Sequence, residues 1–237
     1  MLGVSLGQSA VYSIVDLAGK LTAGKPLSAQ STTLNPSQAS GRPWLDLSFQ
    51  LAGIIFGTVP ALLAIHLLGR DGGTSSDPIG LRSRRLGFDA ASGAALAALV
   101  GIPGLAFYFA SRALGIDTSV IPEALPAVWW TVPVLLLSAI QNALLEEVVV
   151  VGYLMTRLRE IEWPLPAVVM AGALLRGSYH LYQGFGGFIG NLVMGIAFAL
   201  FFVRFKRVGP LIVAHAILDF VAFAGYAMLK DRLPFLR

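Results

Sequence analysis

Five ionisable residues lie inside long apolar stretches of the sequence: the adjacent pair Glu146 and Glu147, then His180, His215 and Asp219. An acidic side chain at the centre of a membrane-spanning helix costs roughly 2.5–3.5 kcal/mol on insertion scales. Such groups persist where they face a polar cavity and pair with or bind something. Carboxylates and imidazoles on three spans are suited to metal-assisted hydrolysis within the membrane, so we take them as the candidate site.

The composition indicates an integral membrane protein. Of the 237 residues, 56% are hydrophobic and 13% are charged, against about 25% charged residues in soluble domains. The apolar runs are long enough for helices to cross a bilayer, and they lack the alternation of outer-membrane strands. We predict an all-α fold, a polytopic transmembrane helical bundle of about seven spans. The absence of cysteine excludes disulfides and thiolate metal sites.

The predicted spans are residues 2–21, 47–68, 89–114, 127–160, 164–183, 187–203 and 208–229. The first is weak because it contains Gln8, Ser9, Ser13 and Asp16, and we interpret it as a degraded or interfacial helix. Residues 22–46 form a polar loop and 69–88 a basic one. The third span is rich in alanine and glycine, which allows close helix approach.

Basic residues cluster at helix ends, where membrane orientation explains them without a nucleic-acid partner. They are Arg70, Arg82, Arg84, Arg85, Arg157, Arg159, Arg204, Lys206 and Arg207. The positive-inside rule places these ends in the cytoplasm, with the C-terminus outside if there are seven spans. Lys230, Arg232 and Arg237 oppose that placement of the C-terminal tail.

Counting along the spans predicts which polar groups share a depth. Glu147 lies 17 residues before Pro164 and His180 lies 16 residues after it, so both lie about 25 Å from that turn. Asn191 is nearly equidistant with His180 from the turn at 184–187, which makes it a supporting candidate. His215 lies only about 9–10 Å into the last span, so its approach requires a cavity.

Helix geometry also predicts which of these side chains face the site. Adjacent helical residues point about 100° apart, so one of Glu146 and Glu147 faces the site while the other lies behind it or faces another helix. His215 and Asp219 share a face, which lets Asp219 orient His215 or hold a water. Each group alone is compatible with a structural tie between helices, but together they favour a site.

The charges leave room for a cation. Glu146, Glu147 and Asp219 contribute −3 and Arg176 contributes +1, which leaves −2 in a poor solvent for ions. A bound divalent metal would cancel this charge, and protonation of one or two carboxyls is the alternative.

Two histidines with a carboxylate form a known catalytic zinc arrangement. We therefore expect His180, His215 and Glu146 as metal ligands and zinc as the cofactor.

Three segments resemble the motifs of the CAAX protease and bacteriocin-processing enzyme family (CPBP), also called the abortive-infection family. That family carries Glu-Glu-x-x-x-Arg, Phe-x-x-x-His and His-x-x-x-Asn/Asp on three membrane helices. The corresponding segments here are EEVVVVGYL (146–154), RGSYH (176–180) and HAILD (215–219). The resemblance covers about residues 125–225, and it divides the chain into generic membrane helices (1–124), a CPBP-like catalytic core (125–229) and a tail (230–237).

The resemblance implies that Glu146 activates a water, that His180 and His215 bind a metal or stabilise the oxyanion, and that Glu147 and Asp219 support them. Whether the family uses a metal or acts through glutamate alone stays open. This sequence has Val151 in place of the family arginine and Arg176 in place of the family phenylalanine. Arg176 and position 151 are predicted at one level on neighbouring helices, so Arg176 could pair with Glu147 instead.

Two functions compete on the sequence alone. The first is an intramembrane endopeptidase near the cytoplasmic face of a bacterial plasma membrane. It would cut a membrane-associated or prenylated, CAAX-like protein or peptide. The second is a non-catalytic polytopic protein, such as a transporter, scaffold or cation-binding protein, with a lapsed protease site.

Overall fold

The computed structural model describes residues 1–71, 77–81 and 85–229, and most of them are helical. The helices are α1 (Leu6–Thr22), α2 (Pro43–Asp71), α3 (Leu86–Ala113), α4 (Thr131–Glu146), α5 (Met155–Glu160), α6 (Leu165–Ser178), α7 (Phe185–Phe205) and α8 (Gly209–Leu229). A π-helical segment, Glu147–Leu154, joins α4 to α5. The short strands β1 (Ser31–Thr33) and β2 (Ser119–Ile121) pair in parallel. Arg82, Arg84 and the tail 230–237 lie outside the described residues.

The predicted all-α membrane bundle is confirmed. Among the described residues, five helices are long and apolar enough to cross a membrane: α2, α3, the continuous helix Thr131–Glu160, α7 and α8. The helix α6 is apolar but shorter, with 14 residues. The helix α1 has 17 residues and is not one of the five, in keeping with the weak first span.

The fourth span changes its winding at the glutamate pair. Regular α-helix ends at Glu146, and the backbone continues as a π-helix through four successive valines, all buried. Wider π-turns inside α-helices are frequent at functional sites, because they shift the direction of the following side chains. The motif segment 146–154 coincides with this change.

The helix α6 is shorter than predicted, and this moves His180 off its regular part. The helix ends at Ser178, Tyr179 caps it, and a 3₁₀ turn over Leu181–Gln183 follows. Gly184 stops the turn at φ 122°, a conformation that favours glycine, and a Cβ there would lie 2.5 Å from the carbonyl oxygen of Ile116. Asp117 fixes this turn by accepting a hydrogen bond of 2.9 Å from the backbone N–H of Gly187.

The two ends of the bundle differ. At one end, called here the strand end, lie the segment 23–42 between α1 and α2, the segment 114–130 between α3 and α4, and the turn at Gly184. The pairing of β1 with β2 joins the first two segments, and a bridge joins Asp117 to Gly184. At the other, called here the arginine end, Arg207 makes hydrogen bonds of 2.8 and 2.7 Å to Asp89. Arg157 of α5 also donates there to the carbonyl of Leu67, at 2.9 Å.

Close packing of α3 against α8 sets the position of the last motif. A Cβ on Gly93 would lie 2.6 Å from the Cβ of Val213, and one on Gly101 would lie 2.5 Å from Leu218. Only glycine permits this approach, as the composition of the third span predicts. Because α8 carries His215 and Asp219, this contact helps to place them.

Candidate active site

A buried arginine lies at the centre of the predicted site. The Arg176 side chain has 0% exposure, and its Nη1 lies 2.7 Å from Oε1 of Glu147. Its Nη2 lies 3.3 Å from Oε2 of Glu146 and 3.0 Å from Nδ1 of His215. The pair between Arg176 and Glu147 expected from their common level is therefore present, and one guanidinium contacts residues of all three motif helices.

The adjacent glutamates have different surroundings. The Glu147 side chain is fully buried between Arg176 and His215, and its Oε2 has no hydrogen-bond partner among the described residues. The Glu146 side chain is 12% exposed, lines a cavity, and accepts a hydrogen bond of 2.8 Å from the hydroxyl of Tyr179. Glu146 is thus the carboxylate that a substrate or water can reach, and Glu147 lies behind it.

His215 connects the buried ion pair to the cavity. Its Nδ1 lies 2.7 Å from Oε1 of Glu147. Because a carboxylate accepts, this contact places a proton on Nδ1. On the other side of the ring, Nε2 lies 3.6 Å from Oδ1 of Asp219, whose Oδ2 accepts from Asn142 at 3.2 Å. Asp219 therefore flanks His215 as the i, i+4 spacing predicts.

His180 reaches the same cavity from the turn after α6. Its Nδ1 lies 3.0 Å from the backbone carbonyl of Arg176, so the N–H is on Nδ1, and Nε2 is left for other partners. Its ring packs between Tyr179 and Tyr182, with centroid distances of 4.9 and 6.2 Å. These contacts fix the orientation of the imidazole although it lies outside the regular helix.

The cavity has a volume of about 700 Å³ and brings four predicted residues to one surface. Glu146, His180, His215 and Asp219 all line it. It also reaches Gln183 and Asn35 at the strand end, and Val4 and Ser5 at the start of α1. Glu146 itself lies near the middle of the 30-residue span Thr131–Glu160.

The ligand set predicted for a metal differs from the group that the structure assembles. Glu146, Glu147 and His215 offer donor atoms within 4.8 Å of one another, and His180 is not part of this group among the described residues. Arg176 already contacts all three of these side chains. A divalent ion placed there would meet the guanidinium charge at close range, so this group as arranged does not fit zinc.

Two further residues belong to the site although sequence reasoning missed them. Tyr179 bonds Glu146, and its position directly before the motif histidine is the signal that points to it. Asn142 bonds Asp219, and it precedes Glu146 by four residues, which places both on one helix face. Asn191, by contrast, donates to the carbonyl of Gly187 in its own helix and is not among the described residues that line the cavity.

Comparison with known proteins gives one match. Residues 128–221 match the family model described as Type II CAAX prenyl endopeptidase Rce1-like. Searches of the curated proteins and of the solved structures found no match. The matched region contains all three motif segments and the residues of the buried ion-pair cluster. Residues 128–221 of this integral membrane protein therefore form a domain of the CPBP family, as the three motifs indicated.

Proposed function

We propose that the protein is an intramembrane endopeptidase that hydrolyses peptide bonds of a membrane-associated or prenylated, CAAX-like protein. The observation that carries this proposal is the division of the glutamate pair. Glu146 faces a cavity large enough for a peptide segment, and Glu147 is held behind it by Arg176 and His215. A carboxylate held by neighbouring donors at the wall of a cavity is suited to act as a general base.

In the proposed reaction, Glu146 accepts a proton from a water molecule while the water oxygen attacks the scissile carbonyl carbon. The tetrahedral intermediate then collapses, the C–N bond breaks, and Glu146 returns the proton to the leaving amine. The hydroxyl of Tyr179, 2.8 Å from Glu146, orients the carboxylate for both transfers. General acid–base catalysis of this kind contributes typically about 10²–10⁴-fold.

His180 is the proposed stabiliser of the oxyanion. Since its Nδ1–H already donates to the Arg176 carbonyl, it must carry a second proton on Nε2 in order to donate into the cavity. In its neutral form Nε2 would accept instead, and would then hold the attacking water. Replacing His180 by glutamine distinguishes donation to the oxyanion from acceptance from the water, because the glutamine amide donates a hydrogen bond at any pH.

The substrate is proposed to enter from the strand end, because Gln183 and Asn35 of that end line the cavity together with Glu146. The charge rule makes the arginine end cytoplasmic. The sequence predicts a site near the cytoplasmic side of a bacterial plasma membrane. Because the strand end is opposite the arginine end, an experiment that determines the side of substrate entry also tests that prediction.

The test of the proposed function is turnover of a peptide library, including prenylated CAAX peptides, by the protein reconstituted in lipid. We expect cleavage by the wild type and by Glu160→Gln, which removes an exposed carboxylate, and no cleavage by Glu146→Gln. The amide is isosteric with the carboxylate, so the variant should remain folded. Equal cleavage by wild type and Glu146→Gln would refute the assignment of the base.

A second candidate is a non-catalytic cation-binding protein with a lapsed protease site. The grouping of Glu146, Glu147 and His215 donor atoms favours it, provided that Arg176 withdraws when an ion binds. This candidate predicts stoichiometric zinc binding that the Glu146→Gln substitution weakens, without cleavage of any peptide. Zinc-dependent cleavage would support the predicted cofactor instead.

A further inference from the structure

The first helix presents a line of polar side chains to the cavity. Viewed along α1 at about 100° per residue, these side chains fall on one face. We call this face the polar stripe; it consists of Ser5, Gln8, Ser9, Tyr12 and Asp16. All five line the cavity that also contains Glu146, His180 and His215.

Two other faces of α1 account for its packing. The face that includes Ala10 and Ser13 is buried against the rest of the protein, and Ser13 donates to the Tyr179 carbonyl at 2.9 Å. A third face is apolar and exposed, and it includes Ile14 at 52% exposure. Apart from the ion pair of 2.6 Å between Asp16 and Lys20, the polar stripe contributes neither to the buried contact nor to the apolar surface.

The buried contact fixes α1 beside the catalytic residues. Ser13 bonds the residue next to His180, and Lys20 bonds the carbonyl of Tyr182 on the other side of it. Because α1 is anchored on both sides of His180, its stripe forms a wall of the cavity near the proposed reaction centre. A peptide that occupies this cavity therefore lies beside α1.

The length of the stripe sets the size of the segment it can contact. From Ser5 to Asp16 the helix rises about 16 Å. An extended peptide rises about 3.3 Å per residue, so about five residues fit along it. Polar side chains in a membrane segment are costly unless they face water or polar partners, and amide and hydroxyl groups suit the backbone of an extended peptide.

We propose that the polar stripe of α1 is the recognition wall for the substrate, holding about five residues of an extended peptide on one side of the scissile bond. This inference rests on the proposed function and deepens it. The helix lies outside the family-matched residues 128–221, so it supplies specificity that the family motifs do not. It also explains why residues 2–21 form a weak span.

The absence of cysteine in the chain makes the test direct. Ser9→Cys places one thiol on the stripe, and Ile14→Cys places one on the exposed apolar face as a matched control. Each variant is treated in lipid with a charged thiosulfonate reagent, and cleavage of the best library peptide is measured before and after treatment. We expect modification of Ser9→Cys to lower kcat/KM at least tenfold through KM, and Ile14→Cys to keep its activity.

Protection by the peptide adds a readout that does not depend on turnover. In the background of Glu146→Gln, an excess of the same peptide should slow modification of Ser9→Cys at least fivefold. Unimpaired cleavage by modified Ser9→Cys, or no reaction of its thiol, would overturn the recognition wall while leaving the peptidase intact. If the wild type cleaves nothing, and no library peptide protects the thiol, the proposed function fails and the inference fails with it.

Discussion

Removal of the Arg176 guanidinium tests the structure of the site most directly. In Arg176→Gln, Glu147 loses its cationic partner at 2.7 Å while its side chain has no exposure to water. Breaking a buried pair by removing one partner costs about 3–5 kcal/mol, because the remaining charge is uncompensated. A change of 1 kcal/mol shifts Tm by roughly 2–4 °C in proteins of this size, so we expect a fall of about 6–20 °C.

The assay is thermal unfolding of the purified protein in detergent, followed by cleavage activity below the transition. Glu160→Gln is the control, since its pair with Arg157 has the same length, 2.7 Å, but the Glu160 side chain is 50% exposed. Pairs at the surface contribute about 1 kcal/mol or less. Adding Glu147→Gln to Arg176→Gln should recover part of the lost stability, because the uncompensated charge is then gone.

A rescue experiment tests whether Arg176 replaces the arginine that the family carries at position 151. Val151 is buried, 2% exposed, in the π-segment one turn beyond Glu147. Val151→Arg combined with Arg176→Ala should restore part of the cleavage that Arg176→Ala loses.

Unchanged Tm and full activity in Arg176→Gln would refute the reasoning, because a fully buried countercharge cannot be removed without cost.

Four further outcomes are expected. Glu146→Gln should lower kcat by about 10²–10⁴-fold with an unchanged Tm, measured by peptide turnover and thermal unfolding. Tyr179→Phe should lower kcat about tenfold with little change in KM, since it removes one hydrogen bond of 2.8 Å to Glu146; an unchanged kcat would exclude its orienting role. Gly93→Ala should lower both Tm and activity by pushing α8 away, whereas Gly104→Ala, on the same helix with no neighbour within 4 Å, should keep or raise Tm. Chelation of divalent metals should leave cleavage unchanged, and loss of cleavage that zinc restores would support the predicted cofactor instead.

The sequence alone determined the class of the protein and marked the ionisable residues of its candidate site. Hydropathy over about 20 residues is a local property, so the long spans follow from composition without knowledge of their packing. The cost of ionisable groups in hydrocarbon marked Glu146, Glu147, His180, His215 and Asp219 as candidates. The three motif segments then indicated the CPBP family, which the match to residues 128–221 supports.

Counting along ideal helices failed where the backbone departs from them. Residues 164–183 do not form one helix, because the Asp117 carboxylate and the positive φ of Gly184 fix a turn after Ser178. Asn191 shares a predicted depth with His180, yet its amide bonds its own helix. Depth is one coordinate, and the direction of a side chain around the helix axis is another.

Contacts between distant segments were decided by the tertiary structure alone. Which glutamate faces the cavity depends on where Arg176 and His215 lie when three helices pack together. The Tyr179 bond to Glu146 and the cavity face of α1 depend in the same way on segments far apart in the chain. Residue types and periodicity specify the faces of each helix, but only packing selects which faces meet, because that choice depends on the tilt and close approach of every neighbour.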